Sequence, residues 1–118
     1  MVNKDIAVLE KINKYCERCL GTVVRCESDY EKFLADYDFY QSISMSLEQI
    51  GELSKLLSED FVKETDNEAH WKLIKDIRNM VAHVYDRMNP KRIWYMAVND
   101  IPKLSELVKR YLPTEENS

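Results

Sequence analysis

Apolar residues recur at helical spacing along most of this 118-residue sequence, and that periodicity constrains the fold more than any other feature. The clearest stretches are 4–26, 38–57, 68–84 and 90–112, where an apolar residue returns every three or four positions. This spacing places apolar side chains on one face of an α-helix. Only two glycines and three prolines occur, too few for the frequent turns of a β-protein. The sequence therefore predicts an all-α, up-and-down bundle of about four to five helices.

The segments between these stretches are shorter and more polar. Ser28 and Asp29 are typical helix-start residues, so a short turn or helix is expected at 30–34. Residues 58–67 are polar and acidic, which predicts a loop with at most one helical turn at Phe61.

Two of the three prolines, Pro90 and Pro102, have different expected roles. Pro90 suits the first turn of the last helix, whereas Pro102 falls inside that helix and should kink or divide it. Residues 113–118 are expected to form a frayed tail. A chain of this length fits one domain, and we expect residues 1–118 to form a single helical domain.

Three cysteines lie close together in the first helical stretch, at positions 16, 19 and 26. The Cys16-x2-Cys19 spacing allows a zinc or redox interpretation. However, Cys16, Cys19 and Cys26 also follow a single helical stripe, and free cysteine is commonly buried as a small apolar residue. No histidine lies at metal-site spacing from them, so core packing is the preferred interpretation and neither a metal nor a cofactor is expected.

Charge is distributed unevenly along the sequence. The whole chain carries a formal net charge of −4, but residues 72–92 carry +4 and the remainder carries −8. A local basic region on an acidic protein could bind an anionic ligand, although ordinary scatter of charge on solvated helices is an open alternative. No uncharged stretch approaches the ~20 residues of a membrane span, and the N-terminus lacks a signal pattern. We therefore expect a cytoplasmic protein.

The segment 68–84 carries a polar constellation beside its apolar face. Arg78 and Tyr85 are two helical turns apart and are expected at one edge of that face, and His83 is expected at the opposite edge. Asn79 is expected on the polar face between the two edges. An arginine can bind a phosphate, and a histidine can transfer protons near neutral pH. RNA supplies its own nucleophile, the ribose 2′-hydroxyl. A solvated arginine and a structural histidine remain the alternative. The predicted core face consists of Leu73, Ile74, Ile77, Met80, Val81 and Val84.

The segment 71–85 resembles the signature of the HepT-like group in the HEPN superfamily. That signature is an arginine, a polar residue, three variable positions, a histidine, one variable position and a tyrosine, matched here by Arg78, Asn79, His83 and Tyr85. Further similarity lies in Gln49-Ile50-Gly51-Glu52, Ile93-Trp94 and Asp100-Ile101-Pro102, so the resemblance covers about residues 40–112.

The resemblance implies a specific function. HepT-like proteins are helical bundles that dimerise around a shared cleft, and many are metal-independent endoribonuclease toxins of toxin–antitoxin pairs. Their antitoxin, MntA, is a minimal nucleotidyltransferase that adds AMP to the motif tyrosine. Carried over, Arg78 would bind the scissile phosphate, Asn79 would be the polar motif residue, His83 would act as acid or base, and Tyr85 would be adenylylated. The alternative is a non-catalytic helical partner or substrate-binding subunit of a minimal nucleotidyltransferase.

Overall fold

In a computed structural model of the chain, residues 3–77 and 90–113 are described, with the backbone alone for Asn3. These residues are helical and include no strand, which confirms the predicted all-α class. The helices are α1 (Asn3–Arg25), α2 (Tyr30–Ala35), α3 (Tyr37–Ser54), α4 (Glu59–Ala69), α5 (Trp71–Lys75), α6 (Pro90–Tyr95) and α7 (Ile101–Tyr111), with a π-helical segment (Met96–Asp100) between α6 and α7.

The two longest helices, α1 and α3, pack along each other and organise the bundle. The other side of α1 contacts α7, and α3 also contacts α2, α5 and α6. Their shared core is formed by fully buried side chains that include Leu9, Ile12, Ile43, Leu47, Ile50, Ile101, Leu104 and Val108. No helix in the described ranges is long and apolar enough to cross a membrane.

The three cysteines of α1 and its C-terminal end are part of this core. Cys16, Cys19 and Cys26 are all buried free thiols, as the interpretation of core packing predicted. Burial raises the pKa of both Cys16 and Cys19 to about 12, because a thiolate would lose its hydration there. Both thiols are therefore neutral at physiological pH and behave as small apolar side chains. Within residues 3–77 and 90–113, no group of three or more His, Cys, Asp or Glu side chains is placed to hold a metal ion.

Helix α4 corrects the prediction of a loop at 58–67. The Ser58 hydroxyl caps the helix by accepting a hydrogen bond from the Phe61 N–H, at 3.2 Å. Phe61, Thr65 and Ala69 then bury one narrow stripe at steps of four residues. The loop prediction was wrong because the other residues of α4 are mostly acidic or polar. A buried stripe of only three residues is difficult to recognise in such a sequence.

The predicted helix 68–84 begins later than expected. Helix α4 ends at Ala69, and His70 adopts a left-handed backbone conformation with φ 52° and ψ 57°. This conformation interrupts the helical path, so α5 begins at Trp71. Ile74 and Ile77 are buried, as predicted for the core face. Leu73 is instead 40% exposed, because α5 buries residues 71, 74 and 77 and thereby turns position 73 outward. Met80, Val81 and Val84 lie outside the described residues.

The last helix is divided, as Pro102 predicted. The backbone N–H of Ile101 donates to the Met96 carbonyl five residues earlier, which is the π-helical pattern. Pro102 lies in the first turn of α7, where its missing N–H is tolerated. The inward-facing residues on both sides of the division are buried as expected, including Ile93, Met96, Ala97, Ile101, Leu104, Leu107 and Val108.

Candidate functional site

The four motif residues predicted from the sequence lie outside the described residues. Arg78, Asn79, His83 and Tyr85 all fall within 78–89, so the roles assigned to them from the sequence remain predictions. The structure does describe the chain on both sides of this segment. These flanks show how the fold holds the two ends of the motif.

The upstream flank is anchored by a buried tryptophan. Trp71 begins α5 with a fully buried side chain, and its indole N–H donates to the Thr65 hydroxyl at 2.7 Å. The Thr65 hydroxyl in turn donates to the Phe61 carbonyl at 2.8 Å. A buried indole donor without a partner would be costly, so this pairing fixes the rotation of α5 relative to α4.

Two buried isoleucines extend this anchoring as far as residue 77. Ile74 and Ile77 are 3% and 0% exposed, and Ile77 directly precedes Arg78. Since burial of three successive core positions fixes both the depth and the rotation of the backbone, the chain has a defined orientation up to Ile77. The exposed Leu73 lies on this same flank, five residues before Arg78.

The downstream flank is anchored in an aromatic cluster. Trp94 of α6 lies 5.0 Å from Phe33 and 6.2 Å from Tyr30, measured between ring centroids. Phe33 also contacts Tyr40 at 5.9 Å, so the cluster joins α2, α3 and α6. These tilted arrangements are favourable for aromatic pairs. Packing is thus the role of Trp94, whereas Tyr95 is 60% exposed.

Both flanks present cations to solvent. Lys72 upstream and Lys91 and Arg92 downstream are exposed, and Lys75 is half-buried. An open depression of about 500 Å³ lies beside the upstream flank. Its lining consists of Val62, Lys63, Asp66, Trp71, Lys72, Lys75 and Asp76. The lysines make this depression suited to an anionic ligand, although the two aspartates reduce its positive charge.

Two carboxylates lie on α3 and at the end of α5, two elements that contact each other. Glu52 of α3 accepts a hydrogen bond from Lys55 at 3.3 Å, and Asp76 ends α5 on the surface. Helix α4 contributes the residues that sequence reasoning missed, namely Thr65 as partner of Trp71 and Val62 and Lys63 in the depression. The spacing of Phe61, Thr65 and Ala69 at steps of four was the signal that could have revealed this helix.

Comparison with known proteins identifies a family for the whole arrangement. The model of the family "Ribonuclease HepT-like" matches residues 7–111, which include the segment 78–85. The chain is 32% identical over 108 residues to "Putative RNase TTE0752" of Caldanaerobacter subterraneus subsp. tengcongensis, covering 92% of this chain and 94% of the relative. It is 31% identical over 93 residues to "Putative RNase MJ0127" of Methanocaldococcus jannaschii, covering 75% and 76%.

A third relative carries the family name itself. The chain is 32% identical over 75 residues to "Probable ribonuclease HepT" of Thermococcus cleftensis, covering 64% of this chain and 67% of the relative. No solved structure gives a significant match. The predicted class, an RNA-cleaving enzyme, is confirmed by the family match. The chain belongs to the HepT-like ribonuclease family.

Proposed function

We propose that this protein is a metal-independent endoribonuclease toxin that acts in the cytoplasm, with Arg78, Asn79 and His83 at its catalytic site. The observation that carries the proposal is the sequence Arg78-Asn79-x3-His83-x-Tyr85 within a family match that spans residues 7–111. Firm anchoring of both flanks supports it, because a catalytic group must be held in a defined geometry. The exposed cations beside the motif also support it, since RNA is a polyanion.

The proposed reaction uses the nucleophile that RNA carries. The 2′-oxygen forms a bond to the adjacent phosphorus while the bond between phosphorus and the 5′-oxygen breaks. A proton leaves the 2′-hydroxyl and another reaches the departing 5′-oxygen, and His83 transfers one of them. Arg78 donates hydrogen bonds to the phosphate oxygens, where charge builds in the transition state. The products are a 2′,3′-cyclic phosphate and a 5′-hydroxyl, so no metal ion is required.

Tyr85 is the proposed site of silencing by a MntA-type nucleotidyltransferase partner. The tyrosine oxygen would attack the α-phosphorus of ATP and release pyrophosphate, which leaves AMP on the ring. Tyr85 follows Arg78 by seven residues, or about two helical turns. The added phosphate would therefore compete with RNA for the Arg78 guanidinium.

A homodimer is part of the proposal, because a single motif supplies one wall of a cleft and a second copy would supply the other. The exposed Leu73 supports this assembly. It lies on the flank that leads into the motif, where an apolar side chain of 40% exposure is available for burial by a partner.

The deciding experiment is RNA cleavage in the presence of EDTA. The parent protein should cleave a mixed RNA pool and leave 2′,3′-cyclic phosphate ends, whereas His83→Ala should lose at least ~100-fold in rate, the usual contribution of a general acid or base. Loss of cleavage on adding EDTA would contradict the metal-free mechanism. Absence of cleavage by an unmodified parent would favour a non-catalytic partner of a nucleotidyltransferase, and mass spectrometry of Tyr85 establishes that the parent is unmodified.

The role of Tyr85 has its own test. Co-expression with a MntA-type partner should add one AMP to the parent and abolish its cleavage. Tyr85→Phe should retain cleavage and resist silencing, because it lacks the acceptor oxygen. Equal silencing of the parent and of Tyr85→Phe would rule out this mechanism.

A further inference from the structure

A row of cations runs along the outer face of α1. Lys4, Lys11, Arg18 and Arg25 follow one another at intervals of seven residues, and Lys14 lies between the second and the third. Seven residues are close to two helical turns, so these side chains lie nearly one above another over about 32 Å. All five are exposed. We call these five residues the α1 cation row.

No member of the row forms an ion pair with a described carboxylate. The ion pairs found among residues 3–77 and 90–113 join Lys32 to Glu27, Lys55 to Glu52 and Arg110 to Glu68, and none includes a member of the row. Unpaired cations aligned on one helix repel one another and are available to an external anion.

A groove between α1 and α3 lies directly beside the row. This groove has a volume of about 540 Å³, and its lining consists of Lys14, Tyr15, Glu17, Arg18, Gly21, Thr22, Arg25, Ser42, Met45 and Ser46. Three members of the row thus line one wall. Among these lining residues Glu17 is the one carboxylate, and it accepts a hydrogen bond from Asn13 at 3.4 Å. The lining therefore combines cations with hydroxyl groups, which suits phosphate oxygens.

Two arginines of the row are held in place by neighbouring side chains. Arg25 donates to the buried Thr22 hydroxyl at 2.9 Å, and that hydroxyl also lies 2.8 Å from the Ser42 hydroxyl. Arg18 places its guanidinium carbon 5.1 Å from the centre of the Tyr15 ring. Both arginines have further N–H donors beyond these contacts. These contacts already restrict the two arginine side chains in the folded protein. Binding of an anion therefore costs less conformational entropy than binding to freely rotating side chains.

We propose that the α1 cation row and its groove bind the phosphate backbone of a single RNA strand outside the catalytic site. This inference rests on the proposed function, in which RNA is the substrate. A linear array of charge over about 32 Å matches an extended polyanion better than a compact phosphorylated ligand. A second copy of the chain is a poor occupant, since a symmetric contact would bring identical cations together.

The row and the upstream flank pack against the same helix, so one RNA molecule could contact both. Helix α3 contacts both α1 and α5, so the groove and the upstream flank are neighbours of one helix. Packed helices lie about 8–10 Å apart, so the axes of α1 and α5 are separated across α3 by no more than about two such spacings. A strand of several nucleotides spans that distance. Contacts at the row would therefore strengthen binding of long RNA without entering the chemical step.

The test measures RNA binding separately from cleavage. The probe is a fluorescein-labelled single strand of about 16 nucleotides, the upper end of the length that one binding domain covers. Its riboses carry 2′-O-methyl groups, so it lacks the nucleophile and cannot be cleaved. The test variant is Lys11→Gln/Lys14→Gln/Arg18→Gln. The matched control is Lys32→Gln/Lys103→Gln/Lys109→Gln, which removes the same formal charge from exposed positions outside the row.

The expected result is a loss of affinity specific to the row. The test variant should bind the probe at least ~10-fold more weakly at low salt, and its plot of log affinity against log salt should flatten by about 2 units, because each phosphate contact of a single strand contributes about 0.7. The control should remain within about twofold of the parent. Lys11→Arg/Lys14→Arg/Arg18→Lys, which keeps the charges, should bind like the parent.

Several outcomes would overturn the proposal. One is that the test variant binds the probe with the affinity and the salt dependence of the parent. The α1 cation row would then not bind RNA, and an acidic protein would be the better candidate for its ligand. Others are an equal loss in the matched control, or a loss in the charge-retaining variant as large as in the test variant. The probe cannot be cleaved and its binding is measured without turnover, so failure of the proposed catalysis would be distinguishable from failure of this inference. Equal melting temperatures by circular dichroism establish that the variants are folded.

Discussion

At the scale of single residues, threonine hydroxyls connect elements that the apolar core alone would not position. The Thr65 hydroxyl donates to the Phe61 carbonyl within α4 and accepts the indole N–H of Trp71 from α5. The Thr22 hydroxyl links α1 to Ser42 of α3 in a similar way. Because each hydroxyl both donates and accepts, one small buried side chain satisfies two polar groups. The polar part of the anchoring of the upstream flank therefore depends on the Thr65 hydroxyl oxygen.

The first prediction concerns removal of the Thr65 hydroxyl. Thr65→Val keeps the shape of the side chain but leaves the Trp71 N–H buried without an acceptor, so unfolding should require about 1–3 kcal/mol less free energy. Urea titration followed by tryptophan fluorescence measures the change. Trp71→Phe, alone and combined with Thr65→Val, completes a double-mutant cycle that isolates the pair. A loss below about 0.5 kcal/mol for Thr65→Val would show that the hydrogen bond is not important for stability.

At the scale of elements, a buried carboxylate joins the first helix to the fourth. Asp5 of α1 is fully buried, and its two carboxylate oxygens accept hydrogen bonds from the Ser58 N–H at 2.8 Å and from the Ser58 hydroxyl at 2.7 Å. Ser58 also caps α4 through the Phe61 N–H. The start of α4 is thus fixed to α1 across 53 positions of sequence. This long-range contact explains how so polar a segment forms a stable helix.

Removal of the carboxylate should therefore weaken α4 as well as the whole fold. Asp5→Ala should lower the free energy of unfolding by roughly 2–4 kcal/mol, because hydrogen bonds to a charged group contribute about 1.5–3 kcal/mol each. Asp5→Asn keeps one acceptor oxygen and should lie between the parent and Asp5→Ala. Chemical denaturation gives these values, and hydrogen exchange should show faster exchange of the first amides of α4.

A control on the same helix separates the contact from a general effect of charge. Asp60 is an exposed carboxylate in the first turn of α4, where it is placed to interact with the helix dipole. Asp60→Ala should therefore cost no more than about 1 kcal/mol. Equal destabilisation by Asp5→Ala and Asp60→Ala would mean that the contact between α1 and α4 has no special role.

At the scale of the whole molecule, the described surface includes apolar side chains whose burial would require a partner. Leu73 is 40% exposed beside the motif, and Leu56 is 51% exposed near the end of α3. Leu73 was predicted to be buried in the core, and the proposed homodimer would bury it against a second copy instead. This is the whole-molecule basis of the proposed homodimer.

The proposed dimer leads to a prediction about assembly. The parent should have the mass of a dimer in light scattering coupled to size-exclusion chromatography. Leu73→Glu should shift this mass toward the monomer and reduce RNA cleavage at least ~10-fold, because a buried charge without a partner opposes association. Leu56→Glu introduces the same charge at a comparably exposed leucine and should change neither property. A monomeric parent, or a dimeric and active Leu73→Glu variant, would contradict this arrangement.

Much of the fold could be predicted because its core positions are periodic. The stripe of Cys16, Cys19 and Cys26 and the division at Pro102 both follow from local sequence, and the structure confirms both of them. The family could also be recognised from a short motif, and the match over residues 7–111 confirms it. The roles of Arg78, Asn79, His83 and Tyr85 are still predictions from sequence, since those residues lie outside the described ranges.

What the sequence by itself determined is therefore the helical class, most of the core and the family, because helical periodicity and a spaced motif are properties of neighbouring residues. The tertiary structure decided the rest. Helix α4 depends on Asp5, which is distant in sequence, and His70 adopts a left-handed conformation between two packed helices. The α1 cation row becomes a candidate site only because α3 forms a groove beside it. Contacts between residues distant in sequence set these features, and local periodicity carries no information about them.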